Sequence, residues 1–177
     1  MNRPFAILLV YVAALVAVAD AQPKPSRVGP EGVPLAEYER ARETLARAVI
    51  AEEGWNDPQG HAAVAWVYAR KWARRSRPTT TLESIITRHC SALRPGRSST
   101  RAALMSGLPG TVDAWPGKRE AWQRTLLELD AWYAGRVPDP CSPAKPTDFG
   151  AANDRPPVGA RRVECRGADS VFYEVRR

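Results

Sequence analysis

The sequence predicts a mostly helical α+β domain. Four segments carry the apolar spacing or the caps of α-helices. After Gly135 the chain becomes rich in proline, and two short runs then follow at 162–165 and 171–175, which predict a short β-hairpin near the C-terminus. The chain is long enough for one domain with its own core, and it shows neither an internal repeat nor heptads.

Residues 1–21 have the pattern of an export signal. A short basic start precedes an apolar run over 5–19, and Ala19-Asp20-Ala21 fits a small-x-small cleavage site. We predict cleavage after Ala21 and therefore a periplasmic or secreted protein. The run is short for a spanning helix, which needs about 20 residues. A retained signal anchor is the alternative, and contact with a membrane is expected only in that case.

The chain is basic, with 26 Lys and Arg residues, 19 Asp and Glu residues and a net charge of +7. An exported basic protein meets anionic wall polymers, lipid head groups or nucleic acid. Solubility combined with an arginine-rich composition explains the same charge, so charge alone does not identify the partner.

The three cysteines agree with an oxidising environment. Cys141 and Cys165 flank a loop-rich segment that has little else to hold it, so we expect a disulfide between them, although the other two pairings stay open. Cys90 follows the apolar residues of the third predicted helix and is expected to be a buried thiol. No cysteine shows the paired spacing of a zinc site, and we expect no metal or other cofactor.

The first two helices are predicted from their caps. Residues 22–34 contain four prolines and two glycines and are expected to form an extended linker, so the domain is predicted over 35–177. The first helix is predicted over 35–53, with Gly54 as its stop. The second begins after the N-cap Asp57 and is apolar almost all round, which is typical of a central helix.

The remaining elements follow from the same signals. The basic exit of the second helix, residues 70–77, is interpreted as a solvated helix end, with a polyanion contact as the alternative. The third helix opens at 80–83 with capping-box spacing. Loops are predicted over 91–100 and 107–117, with one or two helical turns between them. The last long helix is predicted over 118–134 and carries an unbroken stripe: Trp122, Thr125, Leu126, Leu129, Trp132 and Tyr133.

An acidic pair, Glu52 and Glu53, stands at the end of the first helix. The carboxyl end of a helix carries partial negative charge, so carboxylates are poorly placed there for stability alone. Glu52 continues the inward stripe of Leu45, Ala48 and Val49, which directs it to the core or to a cleft. A carboxyl group pressed against apolar surface tends to hold its proton, as a general acid requires. Glu52 is therefore the catalytic candidate, although a solvated helix end explains these residues equally well.

The stretch around Glu52 resembles the SleB-type cell wall hydrolases, which are spore-cortex-lytic enzymes with phage and bacterial relatives. The family pattern is an apolar helix, Ala-Glu-Ala-x-Gly-Glu, a Gly, Ala-Val-Ala and an apolar helix that ends near Asn-Arg. The matching residues are Ala51-Glu52, Gly60, Ala63-Val64-Ala65 and Arg70. A looser similarity runs through Thr79-Thr80-Thr81-Leu82, Trp132-Tyr133-Ala134-Gly135, Asp139-Pro140-Cys141 and Val171-Phe172-Tyr173. The similarity covers residues 40–175, and its first thirty or so are the specific part.

The resemblance implies a lysozyme-like fold and cleavage of the β-1,4 bond between N-acetylmuramic acid and N-acetylglucosamine in peptidoglycan. Family members act mostly as lytic transglycosylases. The resemblance implies that Glu52 protonates the glycosidic oxygen and then takes a proton as the muramoyl 6-hydroxyl closes onto C1. One acid is enough because the nucleophile belongs to the substrate, whereas two-carboxylate glycosidases need a second acid at a defined separation. The expected partner is the glycan strand, no nucleic acid is expected, and we expect a monomer.

The sequence departs from the family at two places. The second glutamate of the pattern falls on Asn56, and Ala69 stands where the family has asparagine. Loss of the second acid weakens a water-attacking muramidase mechanism and leaves the one-acid mechanism intact. The carboxylates that could replace it are Asp57, Glu83 and Asp113. Glu53 is the rival of Glu52, but its family counterpart is a small residue.

Several side chains near the motif and in the tail are candidates for substrate binding. They are Trp55, Asn56, His61, Tyr68 and Tyr173. Aromatic faces stack on sugar rings, but a small helical domain also buries aromatics, so core packing is the competing interpretation. No HExxH, phosphate loop, Gly-x-Ser-x-Gly or Cys–His signature is present, which argues against metalloprotease, nucleotide and acyl-transfer chemistry.

Two other function classes compete with an enzyme. A catalytically degenerate relative that binds peptidoglycan or another envelope partner would explain Asn56 and Ala69. Nucleic-acid binding through the arginine-rich segments is the weaker alternative and predicts a steep loss of affinity with salt. An enzyme would lose activity and keep wall binding on Glu52→Gln, whereas a binding module would lose neither.

Overall fold

The computed structural model describes residues 28–93, 118–150 and 155–175. These described residues contain four α-helices: α1 (Leu35–Glu53), α2 (Pro58–Ala73), α3 (Leu82–His89) and α4 (Lys118–Tyr133). Three strands, β1 (Asp148–Gly150), β2 (Ala160–Val163) and β3 (Val171–Val175), form a small antiparallel sheet. The predicted α+β class with mostly helical content is confirmed.

Local caps define the junction between α1 and α2. The helix α1 ends where Gly54 adopts a φ of +91°, and the Gly54 N–H donates to the Ile50 carbonyl at 2.8 Å. Asp57 is the N-cap of α2, since its Oδ1 accepts from the Gly60 N–H at 2.8 Å, and Pro58 occupies the first helical position. The predicted boundaries of α1 and the predicted start of α2 are confirmed.

The helix α2 is the centre of the helical layer and contacts α1, α3 and α4. Its buried residues lie on every side of the helix: Gly60, His61, Ala62, Ala63, Val64, Ala65, Val67, Tyr68, Ala69, Arg70 and Trp72. Small side chains allow the neighbouring helices to approach closely, which is why an apolar run rich in alanine forms the middle of the domain. The prediction of a central helix is confirmed.

The helix α3 begins one residue later than a Thr80 cap would place it. Thr81 is the N-cap, and its side chain accepts from the Ser84 N–H at 3.1 Å. Glu83 does not complete a capping box with Thr80, because it accepts from the Thr44 hydroxyl at 2.9 Å. The Leu82 N–H donates to Glu37 on α1 at 2.9 Å, so a side chain of a neighbouring helix accepts from one of the free backbone N–H groups in the first turn of α3.

Residues 28–34 belong to the domain, in contrast to the extended linker expected over 22–34. Pro30–Gly32 form a single 3₁₀ turn, and Val28 pairs with Pro34 in an isolated antiparallel bridge. Val33 is fully buried, and its carbonyl accepts from the Tyr133 hydroxyl at 3.0 Å. The prolines therefore stabilise a compact turn on the helices in this part of the segment.

The sheet has the order β1-β3-β2, with β3 in the middle. The predicted β2–β3 hairpin is present, but β2 lies two residues earlier than expected, pairing Val163 with Phe172 and Ala160 with Val175. The strand β1 was not predicted, since three residues carry no alternation. The disulfide predicted between Cys141 and Cys165 is confirmed, and Cys90 is the buried free thiol that was expected.

Several predictions fall on residues outside the described ranges. These are the signal peptide, the first part of the linker, the loops after residue 93, the helical turns over 101–106 and Asp113. The disulfide indicates an oxidising location outside the cytoplasm. Within the described segments, no helix has the length and the apolar character needed to cross a membrane.

Candidate active site

The two carboxylates at the end of α1 have different surroundings. Glu53 is only 8% exposed, and its Oε2 accepts from the backbone N–H groups of Asp169 and Ser170 at 3.2 and 3.3 Å. Its Oε1 is buried without a hydrogen-bond partner among the described residues. Burial raises the pKa of Glu53, although the hydrogen bonds from Ser170 and Asp169 favour its ionised form. Glu53 therefore joins α1 to the turn between β2 and β3.

Glu52 is half-buried and faces α3. Its Oε1 accepts from the Cys90 thiol, with 3.2 Å between Sγ and Oε1. Cys90 is itself fully buried at the end of α3. A thiol is a weak hydrogen-bond donor, so this contact orients the carboxylate without a strong hydrogen bond. The Glu52 side chain thus combines partial access to solvent with a fixed neighbour.

Tyr68 lies in the same cluster. Burial raises the pKa of the Tyr68 hydroxyl well above its ordinary value, and the neighbouring Cys90, Glu52 and Asp148 groups raise it further. The Tyr68 ring packs edge-on against Phe149 with 5.6 Å between the ring centroids. The structure therefore brings together Glu52 from α1, Tyr68 from α2 and Cys90 from the end of α3.

Gly60 explains how the motif packs at the α1–α2 junction. A Cβ atom at this position would lie 2.3 Å from Asp57 Oδ2 and 2.7 Å from Glu53 Oε2. No side chain fits in that space, so the glycine allows the N-cap carboxylate and Glu53 to approach the first turn of α2. Two of the carboxylates considered as a second acid have other contacts. Asp57 caps α2, and Glu83 accepts from Thr44 on the exposed surface.

His61 and Asn56 lie on the α4 side of the junction. His61 is 1% exposed; its Nε2 lies 2.7 Å from the Gly54 carbonyl oxygen and its Nδ1 lies 2.9 Å from Glu128 Oε2. Because a carbonyl only accepts, Nε2 donates to Gly54 and holds the turn. Asn56 is exposed, and its Oδ1 accepts from Arg124 at 3.3 Å.

The five residues predicted to bind substrate differ in their access to solvent. Trp55 is half-buried against the core and Asn56 is exposed. His61, Tyr68 and Tyr173 are buried, at 1%, 0% and 7% exposure, so direct contact with a sugar would require them to become exposed. In this conformation Tyr68 lies near Glu52 and His61 holds the turn at Gly54.

Arg70 differs from the solvated helix end that was expected. Its side chain is 2% exposed, forms an ion pair with Asp139, lies 3.5 Å from Glu31 and donates to the Pro146 carbonyl at 3.2 Å. Its guanidinium also stands over the Trp66 ring, 5.4 Å from the centroid. Arg70 therefore fastens the segment before β1 to the centre of the helical layer.

The sequence did not reveal the partners Cys90, Glu128 and Arg124. Each lies between 38 and 68 residues from its contact in the chain, and only tertiary packing joins them. Among the residues that the structure describes, no group of three or more His, Cys, Asp or Glu side chains is arranged to hold a metal ion. No protein-family model, curated protein or solved structure matches the chain.

Proposed function

We propose that the protein is an exported peptidoglycan-cleaving enzyme with a lysozyme-like domain. It cuts the β-1,4 bond between N-acetylmuramic acid and N-acetylglucosamine as a lytic transglycosylase, with Glu52 as the only general acid and base. The observation that carries the proposal is the contrast within the acidic pair. Glu53 is committed to two backbone amides, whereas Glu52 keeps access to solvent beside a buried thiol.

The chemistry needs only this carboxyl group. Protonated Glu52 donates its proton to the glycosidic oxygen as the bond from that oxygen to C1 breaks. The muramoyl 6-hydroxyl oxygen then bonds to C1 and returns its proton to the Glu52 carboxylate, giving a 1,6-anhydro product and a restored acid. No water is consumed, so no second carboxylate is required, in contrast to two-carboxylate glycosidases.

Two further observations support this assignment. Asp57 caps α2 and Glu83 binds Thr44, so both described candidates for a second acid have other contacts. The ion pair between Arg70 and Asp139 joins two segments that carry the resemblance to the cell wall hydrolases, although 69 residues separate them. A segment pairing of this kind is what a shared fold would require.

The test is mass spectrometry of purified peptidoglycan digested with residues 22–177. The unaltered protein should release anhydro-muropeptides, and Glu52→Gln should lower the rate by roughly 10²- to 10⁴-fold, the usual contribution of a general acid. Glu39→Gln is the matched control, since it neutralises an exposed carboxylate on the same helix that is not a candidate acid. It should leave the products and the rate unchanged.

The outcomes separate three mechanisms. Reducing-end products that disappear in Glu83→Gln or Asp57→Asn would replace the one-acid mechanism with a two-carboxylate hydrolase. An absence of soluble product, with both the unaltered protein and Glu52→Gln still pelleting with the wall, would overturn the enzyme and leave a peptidoglycan-binding module.

A further inference from the structure

A groove with a cationic lining lies between the end of α2, the end of α3 and the sheet. Its volume is about 370 Å³, within the range of small-ligand sites. The charged and titratable residues of its lining, which we call the basic groove, are Lys71, Arg74, Arg75, Arg88, His89 and Asp148. Among the residues that the structure describes, the lining therefore holds four permanent cations and one carboxylate.

Two of the cations hold the groove in shape. Lys71 Nζ lies 3.0 Å from Asp148 Oδ1, which links α2 to β1 and neutralises this carboxylate. The Arg75 guanidinium stands over the Trp72 ring at 3.6 Å from the centroid and donates to the Trp72 carbonyl at 2.9 Å. Arg74 and Arg88 are exposed and stand at the α2 and α3 sides of the groove. Their charges make the groove attractive to an anion, because concave surfaces focus the field of like charges.

The basic groove adjoins the Glu52 cluster through neighbouring residues of the chain. His89, in the lining, directly precedes Cys90, whose thiol contacts Glu52. Lys71 follows Tyr68 by almost one helical turn, and Asp148 precedes Phe149, whose ring packs on Tyr68. The Tyr68 hydroxyl is close enough to both Glu52 and Asp148 for their charges to raise its pKa, so the lining of the basic groove lies beside the Glu52 cluster.

We propose that the basic groove binds the carboxylates of the peptide stem beside the glycosidic bond that Glu52 cleaves. This inference rests on the proposed function. Sugar hydroxyls are neutral and gain little from four cations, whereas stem peptides carry free carboxylates that guanidinium groups bind in a bidentate manner. The groove thus selects glycan that still bears its stems.

The test measures binding in a background that cannot cleave. Glu52→Gln protein is sedimented with sacculi that carry no phosphate polymers, alone and combined with Arg74→Gln and Arg88→Gln. The double change should weaken binding by roughly tenfold, the order expected for two partly exposed ion pairs. Arg40→Gln with Arg136→Gln is the matched control: these exposed arginines lie outside the groove lining, remove the same charge and should change affinity less than about twofold.

A second arm uses sacculi whose free stem carboxylates have been converted to amides with a carbodiimide and ammonia. The protein with an intact groove should bind these sacculi about tenfold more weakly than untreated sacculi, without any arginine being changed. Equal losses in the groove variant and the control variant would overturn the inference in favour of general charge. Equal binding to untreated and amidated sacculi would overturn it too, and a groove effect seen only on walls with phosphate polymers would make phosphate the ligand.

Both arms measure binding, whereas the proposed function is tested by the release of muropeptides. The two proposals can therefore fail separately. If the protein released no muropeptides but the two arms gave the expected losses, the groove would stand and the enzyme would not. If muropeptides were released and neither arm showed a loss, the groove assignment alone would be wrong.

Discussion

Glu52 and Glu53 point to different elements because successive side chains of a helix are rotated by about 100° around its axis. Glu53 points to the C-terminal hairpin and accepts from Asp169 and Ser170, whereas Glu52 points to the end of α3 and accepts from Cys90. The stripe of Leu45, Ala48 and Val49 brought both carboxylates close to the inner face, so it did not separate them. Their roles depend on which distant element packs against each side.

The burial of Glu53 leads to a prediction about stability and pH. Burial raises the pKa of Glu53 in the folded protein, with the nearby Asp57 acting in the same direction. A carboxyl group with a raised folded-state pKa stabilises the fold below its unfolded pKa, and this stabilisation is lost as the pH rises through the folded pKa. Glu53→Gln keeps an oxygen for the two amides and does not ionise. The variant should therefore gain stability relative to the unaltered protein as the pH rises above about 4, the usual pKa of a glutamate in an unfolded chain.

Urea unfolding at a series of pH values measures this difference. Glu39→Gln, an exposed change on the same helix, should show a much smaller dependence on pH. If Glu53→Gln instead lost stability relative to the unaltered protein as the pH rises, the ionised carboxylate would be the form that the fold prefers.

At the level of elements, the helix boundaries were predictable because their causes are local. Gly54 ends α1 through its own backbone conformation, and Asp57 caps α2 through the amide three residues on. The strand β1 has no such local cause, since Asp148–Gly150 become a strand only by pairing with β3. The contact of Cys90 with Glu52 was beyond sequence reasoning for the same reason, while Glu52 was chosen as a candidate because its motif is contiguous.

A polar clasp joins α1 to α4 and allows a second prediction about pH. Asp130 accepts from the Tyr38 hydroxyl at 2.7 Å and from two nitrogens of Arg42 at 2.7 and 2.6 Å. Burial opposes ionisation of Asp130, but the hydrogen bonds from Arg42 and Tyr38 outweigh it and lower the pKa of Asp130. Asp130→Asn should therefore lower the free energy of unfolding by about 1 kcal/mol near neutral pH, a figure discounted for partial exposure.

The sign of the pH dependence is opposite to that of Glu53. A lowered folded-state pKa gives stabilisation above the unfolded pKa, and this is lost as the pH falls through the folded pKa. The deficit of Asp130→Asn should thus shrink in acid, as measured by urea midpoints near pH 7 and pH 3. Glu43→Gln, which removes an exposed partner of Arg47 at 3.8 Å, should change stability by only a few tenths of a kcal/mol. A deficit that persists undiminished at low pH would assign the loss to packing.

On the scale of the whole molecule, polar contacts dock the sheet on the helices. Glu53 holds the turn before β3, Lys71 holds β1, and Arg70 holds Asp139 beside the disulfide. The strand β3 also buries Val171, Phe172 and Tyr173, and β2 buries Val163. The sequence showed the apolar stripes and the cysteines. The polar contacts of Glu53, Lys71 and Arg70 join residues far apart in the chain and were therefore not predictable.

The disulfide should matter most for this docked sheet. Cys141 and Cys165 close a loop with a sequence separation of 24, and the Arg166 N–H donates to the Pro140 carbonyl beside it at 3.0 Å. Replacing both cysteines by serine should lower the free energy of unfolding by about 3 kcal/mol, because the unfolded chain regains the freedom of that loop. Hydrogen exchange should quicken over β2 and β3 far more than in α2, since the helices pack without the link.

The comparison with the third cysteine makes this prediction specific. Cys90→Ala removes a buried thiol and the donor to Glu52 but leaves the disulfide, so it should spare the exchange rates of the sheet and instead change the peptidoglycan cleavage that we propose. The double serine variant should show the opposite pattern. Hydrogen exchange in β2 and β3 should quicken, and the proposed cleavage should weaken only to the extent that Glu53 loses its hydrogen bond from Asp169. A uniform rise in exchange across all four helices in the double variant would mean that sheet and helices unfold as one unit, and the docking contacts rather than the loop would then set the stability of the domain.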